Sequence, residues 1–232
     1  LQLIVAIPIS YLTTRWVFPL VTCWLAGRGL REGEYPLYSV THYRVWVMQR
    51  GLSLSPLAHL TGSHLMARYL RMLGATVGDG CHIGTAQIPL PSLLELGHDV
   101  TVGYETHLRA FEIEDGLLRL GRVRIGDNAI VGPNCMLAGG SSMGRDTTLQ
   151  PQSLLRSGEH VPDGEEWAGT LAAAQPPERT DPALATMRRC SDAPREWAPA
   201  LVGKLRAGIV FLELMPIIAT LPIMILVWWT LL

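Results

Sequence analysis

The sequence predicts a mainly β fold, a parallel β-helix built from six-residue repeats, held between two membrane-spanning helices. Three observations predict it. An aliphatic residue followed by glycine recurs at intervals of six through the middle of the chain. The last 19 residues, 214–232, carry no charge. Residues 1–26 are apolar apart from Gln2, Arg15 and a few hydroxyls.

The two apolar ends set the solvent. About 20 apolar residues cross a bilayer core. The expected spans are residues 1–28 and 204–232. Arg28 and Arg31 follow the first span, and Lys204 and Arg206 precede the apolar run of the second. Both pairs lie on the side of the chain's middle. The positive-inside rule therefore puts the middle in the cytoplasm, with the protein multi-pass in the plasma membrane and lipid as its partner. Arg15 and Glu213 would pair with a neighbouring helix, snorkel, or line a polar path. Membrane spans tolerate the kinks of Pro8, Pro19, Pro216 and Pro222. The sequence begins without Met and inside an apolar run, so it reads as a piece of a longer polypeptide.

Composition agrees with that division. The chain of 232 residues is 48% hydrophobic and 17% charged, with the deficit of charge at its two ends. A soluble domain carries about 25% charged residues. A net charge of −1 excludes a general nucleic-acid binder, which would show a basic patch. The four cysteines form no C-x-x-C pair and match no zinc spacing, so no metal is expected and the thiols read as free and reduced.

Residues 29–72 mix Tyr35, Tyr38, Tyr43 and Trp46 with His42, Arg44 and Arg50. That composition suits the headgroup zone and predicts helices at the membrane interface. Residues 173–203 form a Pro-rich linker that leads back to the membrane.

The six-residue repeat occupies residues 73–172. Hexads begin at Val77, Ile83, Leu96, Val102, Ile125, Val131, Leu137, Met143 and Leu149. Glycine follows the aliphatic residue in seven of these nine, although glycine is about one residue in ten of the chain. The fifth position is small or β-branched in eight of nine, with Gln87 the exception. Each hexad is one short strand and a corner. The aliphatic side chain stacks inward on its equivalent in the next coil, and no coil buries enough apolar area alone, so several must stack. Glycine is expected to relieve positive φ at the corner. Nine hexads at three per coil give about three coils. Cys81 and Cys135 fall on interior positions.

The repeat breaks twice, at Pro89–Glu95 (seven residues) and at Leu108–Arg124 (17 residues). Insertions from a solenoid gather on one face, often the binding face. His107 stands at the mouth of the second break, with Glu112, Glu114 and Asp115 following. A histidine beside an acid on a rigid scaffold suits general-base chemistry: the carboxylate orients the imidazole and stabilises its charged form. His107, Glu114 and Asp115 are the candidate catalytic set. His82 and His98 are rivals in other coils, with nothing converging on them. Asn134 and Gln150 fall on hexad corners and are candidates to line a cofactor groove. No phosphate loop, zinc helix or nucleophile elbow is present.

The aliphatic-Gly hexads resemble the hexapeptide acyltransferase family, which implies a left-handed β-helix. Further landmarks narrow the resemblance: Gly33-Glu34-Tyr35-Pro36-Leu37-Tyr38, Tyr43-Arg44-Val45-Trp46, Tyr69 to Ala75, Thr106-His107-Leu108, Leu118-Arg119-Leu120 and Trp167-Ala168-Gly169. In this order they resemble the membrane-embedded C-terminal region of single-module nonribosomal peptide synthetases, of which the ε-poly-lysine synthetases are best known. The resemblance implies carrier and adenylation domains in the same polypeptide, with ATP used only in the adenylation domain. It also implies sister β-helix domains and isopeptide formation from amino acids carried as phosphopantetheine thioesters. The family's T-H-L motif falls on Thr106, His107 and Leu108. The acidic stretch after it departs from the family, so a catalytic copy and a structural copy both stay open.

Three functions follow as expectations. The first is an acyl- or aminoacyl-transferring enzyme domain with His107 as general base, phosphopantetheine or coenzyme A in a groove between β-helices, and a homo-oligomer or sister-domain packing that completes the groove. The second is a non-catalytic platform for carrier docking and product export. The third is a stand-alone membrane acetyltransferase using coenzyme A.

Overall fold

The structure, a computed structural model, describes residues 6, 9–175, 203–204, 207–211 and 215. Most of the expected linker 173–203 and C-terminal span 204–232 lies outside the described residues. Within them, three parallel sheets wrap into a three-sided coil.

The chain enters through a π-helical turn, Thr13–Val17, and helix α1, Phe18–Gly27. Strand β1 (Gly33–Pro36) follows, then helices α2 (Val40–Ser53), α3 (Leu57–Leu60) and α4 (His64–Met72). The first turn of the coil contains β2 (Thr76–Val77) and β3 (His82–Ile83). The second contains β4 (Leu94–Leu96), β5 (Thr101–Val102) and β6 (His107–Arg109). A hairpin of β7 (Phe111–Glu114) and β8 (Leu117–Leu120) then leaves the coil. The third turn is β9 (Val123–Ile125), β10 (Ile130–Val131) and β11 (Met136–Ala138). The fourth is β12 (Ser142–Met143), β13 (Thr148–Leu149) and β14 (Leu154–Leu155). Strands β15 (His160–Val161) and β16 (Glu166–Ala168) begin a fifth, and β17 (Ala173–Ala174) folds back antiparallel on β16.

The register repeats the hexad pattern. Val77, Leu96, Ile125, Met143 and Val161 stack along the first side. Ile83, Val102, Val131, Leu149 and Trp167 stack along the second. Leu108, Leu137 and Leu155 stack along the third. All nine hexad leaders are buried, as are Thr106, Ala129, Cys135, Ser141, Thr147 and Ser153 at the small interior position. Several of these small side chains hydrogen-bond to the next coil. Thr106 Oγ1 donates to the Gly132 carbonyl at 2.8 Å, and Cys135 Sγ to that of Gln150 at 3.0 Å. Trimming one methylene from this stack, Ile125→Val, is expected to cost about 1 kcal/mol, read by denaturant unfolding.

The coil is longer than three turns and its breaks are smaller. Eighteen residues separate Ile125 from Met143 and Met143 from Val161. Nineteen separate Val77 from Leu96, so Pro89–Glu95 is a third side with one extra residue. It buries Leu90, Leu93 and Leu94 around a 3-10 turn, Pro91–Leu93. Twenty-nine separate Leu96 from Ile125. The second break therefore adds eleven residues, not 17, because Leu108 keeps its place against Leu137.

The glycine after each hexad leader has a different cause from the one expected. Positive φ falls two residues later, at Asp99, Glu105, Asn128, Asn134, Asp146, Gln152 and four glycines. The leading glycines are needed for close packing of coils. A Cβ at Gly78 would lie 2.3 Å from the Gly97 carbonyl oxygen, and one at Gly132 would lie 2.6 Å from Pro151 N.

Residues 29–72 hold the three helices α2, α3 and α4 and, at Gly33–Pro36, a strand. It pairs antiparallel with β8, which puts it in a three-stranded sheet with the hairpin. In α4, Met66, Tyr69 and Leu70 recur at helical spacing and are buried, with α4 resting on β2 and β3 as a cap to the coil. Helix α1 buries Pro19, Thr22, Cys23, Ala26 and Gly27 and packs on α2. The approach is close at Gly51, where a Cβ would lie 2.0 Å from Thr22 Oγ1. Among the described residues no helix is long and apolar enough to cross a membrane. The outer face of α1 keeps Phe18, Val21, Trp24 and Leu25 exposed, with Val17 of the preceding turn, and α2 keeps Tyr43 and Trp46 exposed. The Arg28 guanidinium lies over the Trp24 ring at 5.3 Å, and that of Arg50 over Trp46 at 5.6 Å.

Candidate functional site

His107 is placed by the residue before it. Thr106 is fully buried, and its carbonyl accepts from Thr85 Oγ1 at 2.7 Å while its own hydroxyl donates to Gly132. The His107 N–H donates to the Cys135 carbonyl at 2.8 Å, and Leu108 points into the core. The imidazole is therefore held on the outer face of the third side, beside Met136 of β11 in register. It is exposed, and among the described residues it forms no side-chain hydrogen bond or ion pair.

The acids expected beside it are elsewhere. Glu114 faces Leu117 across the hairpin, and its carboxylate accepts from Arg119 Nη1 at 2.6 Å. Arg119 is its only charged partner among the described residues. Asp115 and Gly116 form the two-residue hairpin loop, both at positive φ (51° and 72°). That is the geometry Asp-Gly favours in a tight β turn. The hairpin therefore carries Glu114 and Asp115 to its tip, away from its root beside β6. The expected carboxylate–imidazole contact is not formed among the described residues.

The cofactor candidates also divide. Asn134 is an exposed corner residue at φ 55°, with its N–H donating to the Tyr104 carbonyl at 2.9 Å. Gln150 is engaged: its carboxamide donates to Glu166 Oε1 at 2.7 Å. His82 lies on the outer face of β3, and His98 Nδ1 accepts from the Asp79 N–H at 3.2 Å. No group of three or more His, Cys, Asp or Glu side chains among the described residues is arranged to hold a metal.

Two groupings are hidden in the sequence because they join residues far apart along the chain. Ser142 Oγ lies 2.8 Å from His160 Nδ1 on the first side. Beside that row, Arg122 bonds to Glu95 and lies 3.1 Å from Glu32, while Arg124 reaches Glu32 at 2.7 Å and Glu95 at 3.2 Å. The bond to Glu95 leads in pushing the Arg122 pKa above its ordinary value, against partial burial. The spacing of 18 residues, once known, puts Arg124, Ser142 and His160 in one row. On the hairpin, Arg119 bridges Glu114 and Glu34, the latter at 2.9 Å, which ties β1 to the inserted sheet. The Arg119 pairs are about half exposed and each contributes about 1 kcal/mol or less.

Burial pushes the Cys81 and Cys135 thiols up, so both hold less thiolate at neutral pH than a free cysteine. At pH 8, Cys135 is expected to react with a thiol-specific alkylating reagent at least about tenfold more slowly in the folded protein than after denaturation. Peptide mapping by mass spectrometry reads that rate at the single residue.

No family model matches the chain. It is 29% identical over 192 residues to the Delta-poly-L-ornithine synthetase of Acinetobacter baumannii (strain AB307-0294), a match covering 79% of this chain and 14% of that protein. The chain thus corresponds to a small part of the relative's length. Among solved structures, a maltose O-acetyltransferase from Clostridium difficile 630 overlaps at a TM-score of 0.47 and 13% identity, covering 62% of this chain and 91% of the other. A hexapeptide-repeat acetyltransferase from Vibrio cholerae O1 biovar eltor, complexed with acetyl coenzyme A, overlaps at 0.45 and 14%, covering 60% and 90%. These scores fall short of a shared overall fold, and the coil rests on its own strand register. Over most of its length the chain is therefore similar in sequence to a segment of a synthetase, and this chain's own strands wind into a parallel coil of hexads.

Proposed function

We propose that this chain is an aminoacyl-transferring domain of a membrane-bound nonribosomal peptide synthetase, with His107 as the general base. The observation that carries the reading is the placement of His107: exposed, free of side-chain partners among the described residues, and fixed on a strand anchored to the coils before and after it. The similarity to a segment of a synthetase named for delta-poly-L-ornithine supports amide formation between amino acids.

In this reading a carrier domain presents an aminoacyl thioester on its phosphopantetheine arm. His107 takes a proton from the acceptor amine as its nitrogen attacks the thioester carbonyl. The C–N bond forms, the C–S bond breaks, and the imidazolium returns the proton to the leaving thiolate. ATP is used only by an adenylation domain elsewhere in the polypeptide. The arm lies in a groove completed by a sister β-helix or a second copy of the domain, with the coil left-handed and Asn134 and Gln150 at its rim. Glu114 and Asp115 contribute a weak negative field from the hairpin tip, screened over about 8–10 Å.

Lipid is the proposed cover for the apolar outer faces of α1 and α2 in the plasma membrane, with the coil on the cytoplasmic side. The two arginine–tryptophan pairs, Arg28 on Trp24 and Arg50 on Trp46, suit the headgroup zone. A second reading, the non-catalytic platform, is favoured by the separation of His107 from Glu114 and Asp115. The two are told apart by the elongation rate of the full-length protein carrying His107→Ala, with carrier loading measured separately.

A further inference from the structure

The hexad led by Ile83 breaks the rule of the small fifth position, where the sequence supplies Gln87. The coil accommodates it by turning it outward. Gln87 is exposed, while Thr85 and Ile88 near it are buried. Counting by hexads sets Gln87 opposite the buried Thr106. A slip of one residue moves a side chain from the inner face of a sheet to the outer one.

Hydrogen bonds fix that slip. The Leu108 N–H donates to the Gln87 carbonyl at 3.1 Å. The Gln87 N–H donates to Thr85 Oγ1 at 3.0 Å, and that hydroxyl donates to the Thr106 carbonyl at 2.7 Å. In a parallel ladder a residue bonds to the two residues flanking the one opposite it. Gln87 therefore lies opposite His107, with the Thr85 hydroxyl inserted between the Gln87 N–H and the Thr106 carbonyl.

The outward row on the third side is thus Gln87, His107, Met136 and Leu154. Met136 and Leu154 are apolar, so Gln87 is the one side chain beside His107 in that row able to donate a hydrogen bond. Its carboxamide has no partner among the described residues. Neighbouring strands lie about 4.8 Å apart, so the carboxamide and the imidazole border one space. The main-chain bonds to Gln87 and His107 set both positions before a substrate arrives.

The chemistry at His107 needs such a group. Attack by the amine drives negative charge onto the thioester carbonyl oxygen, and the imidazole is engaged with the amine proton. A carboxamide N–H can hold that oxygen, and it carries no charge to oppose the imidazolium.

We propose that Gln87 is a catalytic residue of this site, its carboxamide N–H donating to the thioester carbonyl oxygen while His107 takes the amine proton. The inference rests on the transfer reading above and adds the group that holds the oxygen. As the C–N bond forms, the carbonyl electron pair moves to oxygen and is held by Gln87. As the C–S bond breaks, the carbonyl re-forms and the charge leaves with the thiolate.

The test is steady-state elongation by the full-length protein in nanodiscs. Wild type is compared with Gln87→Ala, Gln87→Glu and His107→Ala, with carrier loading measured separately. Gln87→Ala is expected to lower kcat about 10²-fold, the low end of what one oxyanion donor supplies, with KM nearly unchanged. Gln87→Glu keeps the size but puts a charged acceptor where the donor stood, and should lose at least as much. The thermal unfolding midpoint of both should match wild type, because the side chain is exposed and makes no hydrogen bond among the described residues. A normal kcat in Gln87→Ala or Gln87→Glu, an effect confined to KM, or a loss that tracks a lowered midpoint each overturns the assignment. If His107→Ala collapses the rate and Gln87→Ala does not, Gln87 falls and the transfer reading stands. If Gln87→Ala collapses kcat and His107→Ala does not, the base assignment fails and the oxygen contact stands.

Discussion

Elongation by the full-length protein is expected to fall about 10²–10⁴-fold when His107 becomes alanine, the range a positioned general base contributes. Loading of the carrier with its amino acid should be unchanged, because that chemistry belongs to another domain. The loss should appear in kcat more than in KM, since proton removal from the amine develops only as the C–N bond forms. The fold should be untouched: the His107 side chain is exposed and has no partner among the described residues, and its N–H, which bonds to the Cys135 carbonyl, is present in alanine too. Unchanged stability with a collapsed rate would identify a chemical role. A normal elongation rate would make this copy a platform and move the chemistry to a sister domain.

How much of this is legible in the sequence differs from element to element. The aliphatic positions of the hexads are readable because stacking demands the same residue type at the same place in every coil. The length of the breaks is not. Leu108 looks like the start of an insertion, yet it occupies the third side against Leu137, because strand pairing to the next coil outweighs the missing glycine. The loop of the inserted hairpin is readable, but for a property other than charge. Asp115-Gly116 between alternating apolar residues signals a two-residue turn, and the charge of Asp115 masks the conformation it favours. Ser142 with His160, and Glu34 with Arg119, are invisible for another reason. The first pair needs the coil length, and the second needs β1 to leave the helical region and join the hairpin, which no local periodicity indicates.

The glycine after each hexad leader is found by counting, whereas its cause is visible only in the packed coils, and that cause makes a sharp prediction. Gly132→Ala is expected to destabilise the protein by about 3 kcal/mol, because its Cβ would lie 2.6 Å from Pro151 N and 2.9 Å from the Gln150 carbonyl carbon. Both are backbone atoms of the next coil and cannot rotate away. Gly158→Ala gives the contrast. It has φ +77° and open space around its Cβ, so its cost is conformational alone, about 1–2 kcal/mol. If positive φ were the reason for the leading glycines, the two substitutions would cost the same, and equal denaturation midpoints would refute the packing account. The consequence reaches the candidate site. Gly132 accepts the Thr106 hydroxyl through its carbonyl, and Thr106 holds the strand that presents His107. Pushing the coils apart at Gly132 therefore displaces the imidazole. Gly132→Ala should lower elongation even below the melting transition, while Gly158→Ala, on another corner, should leave the His107 strand in place.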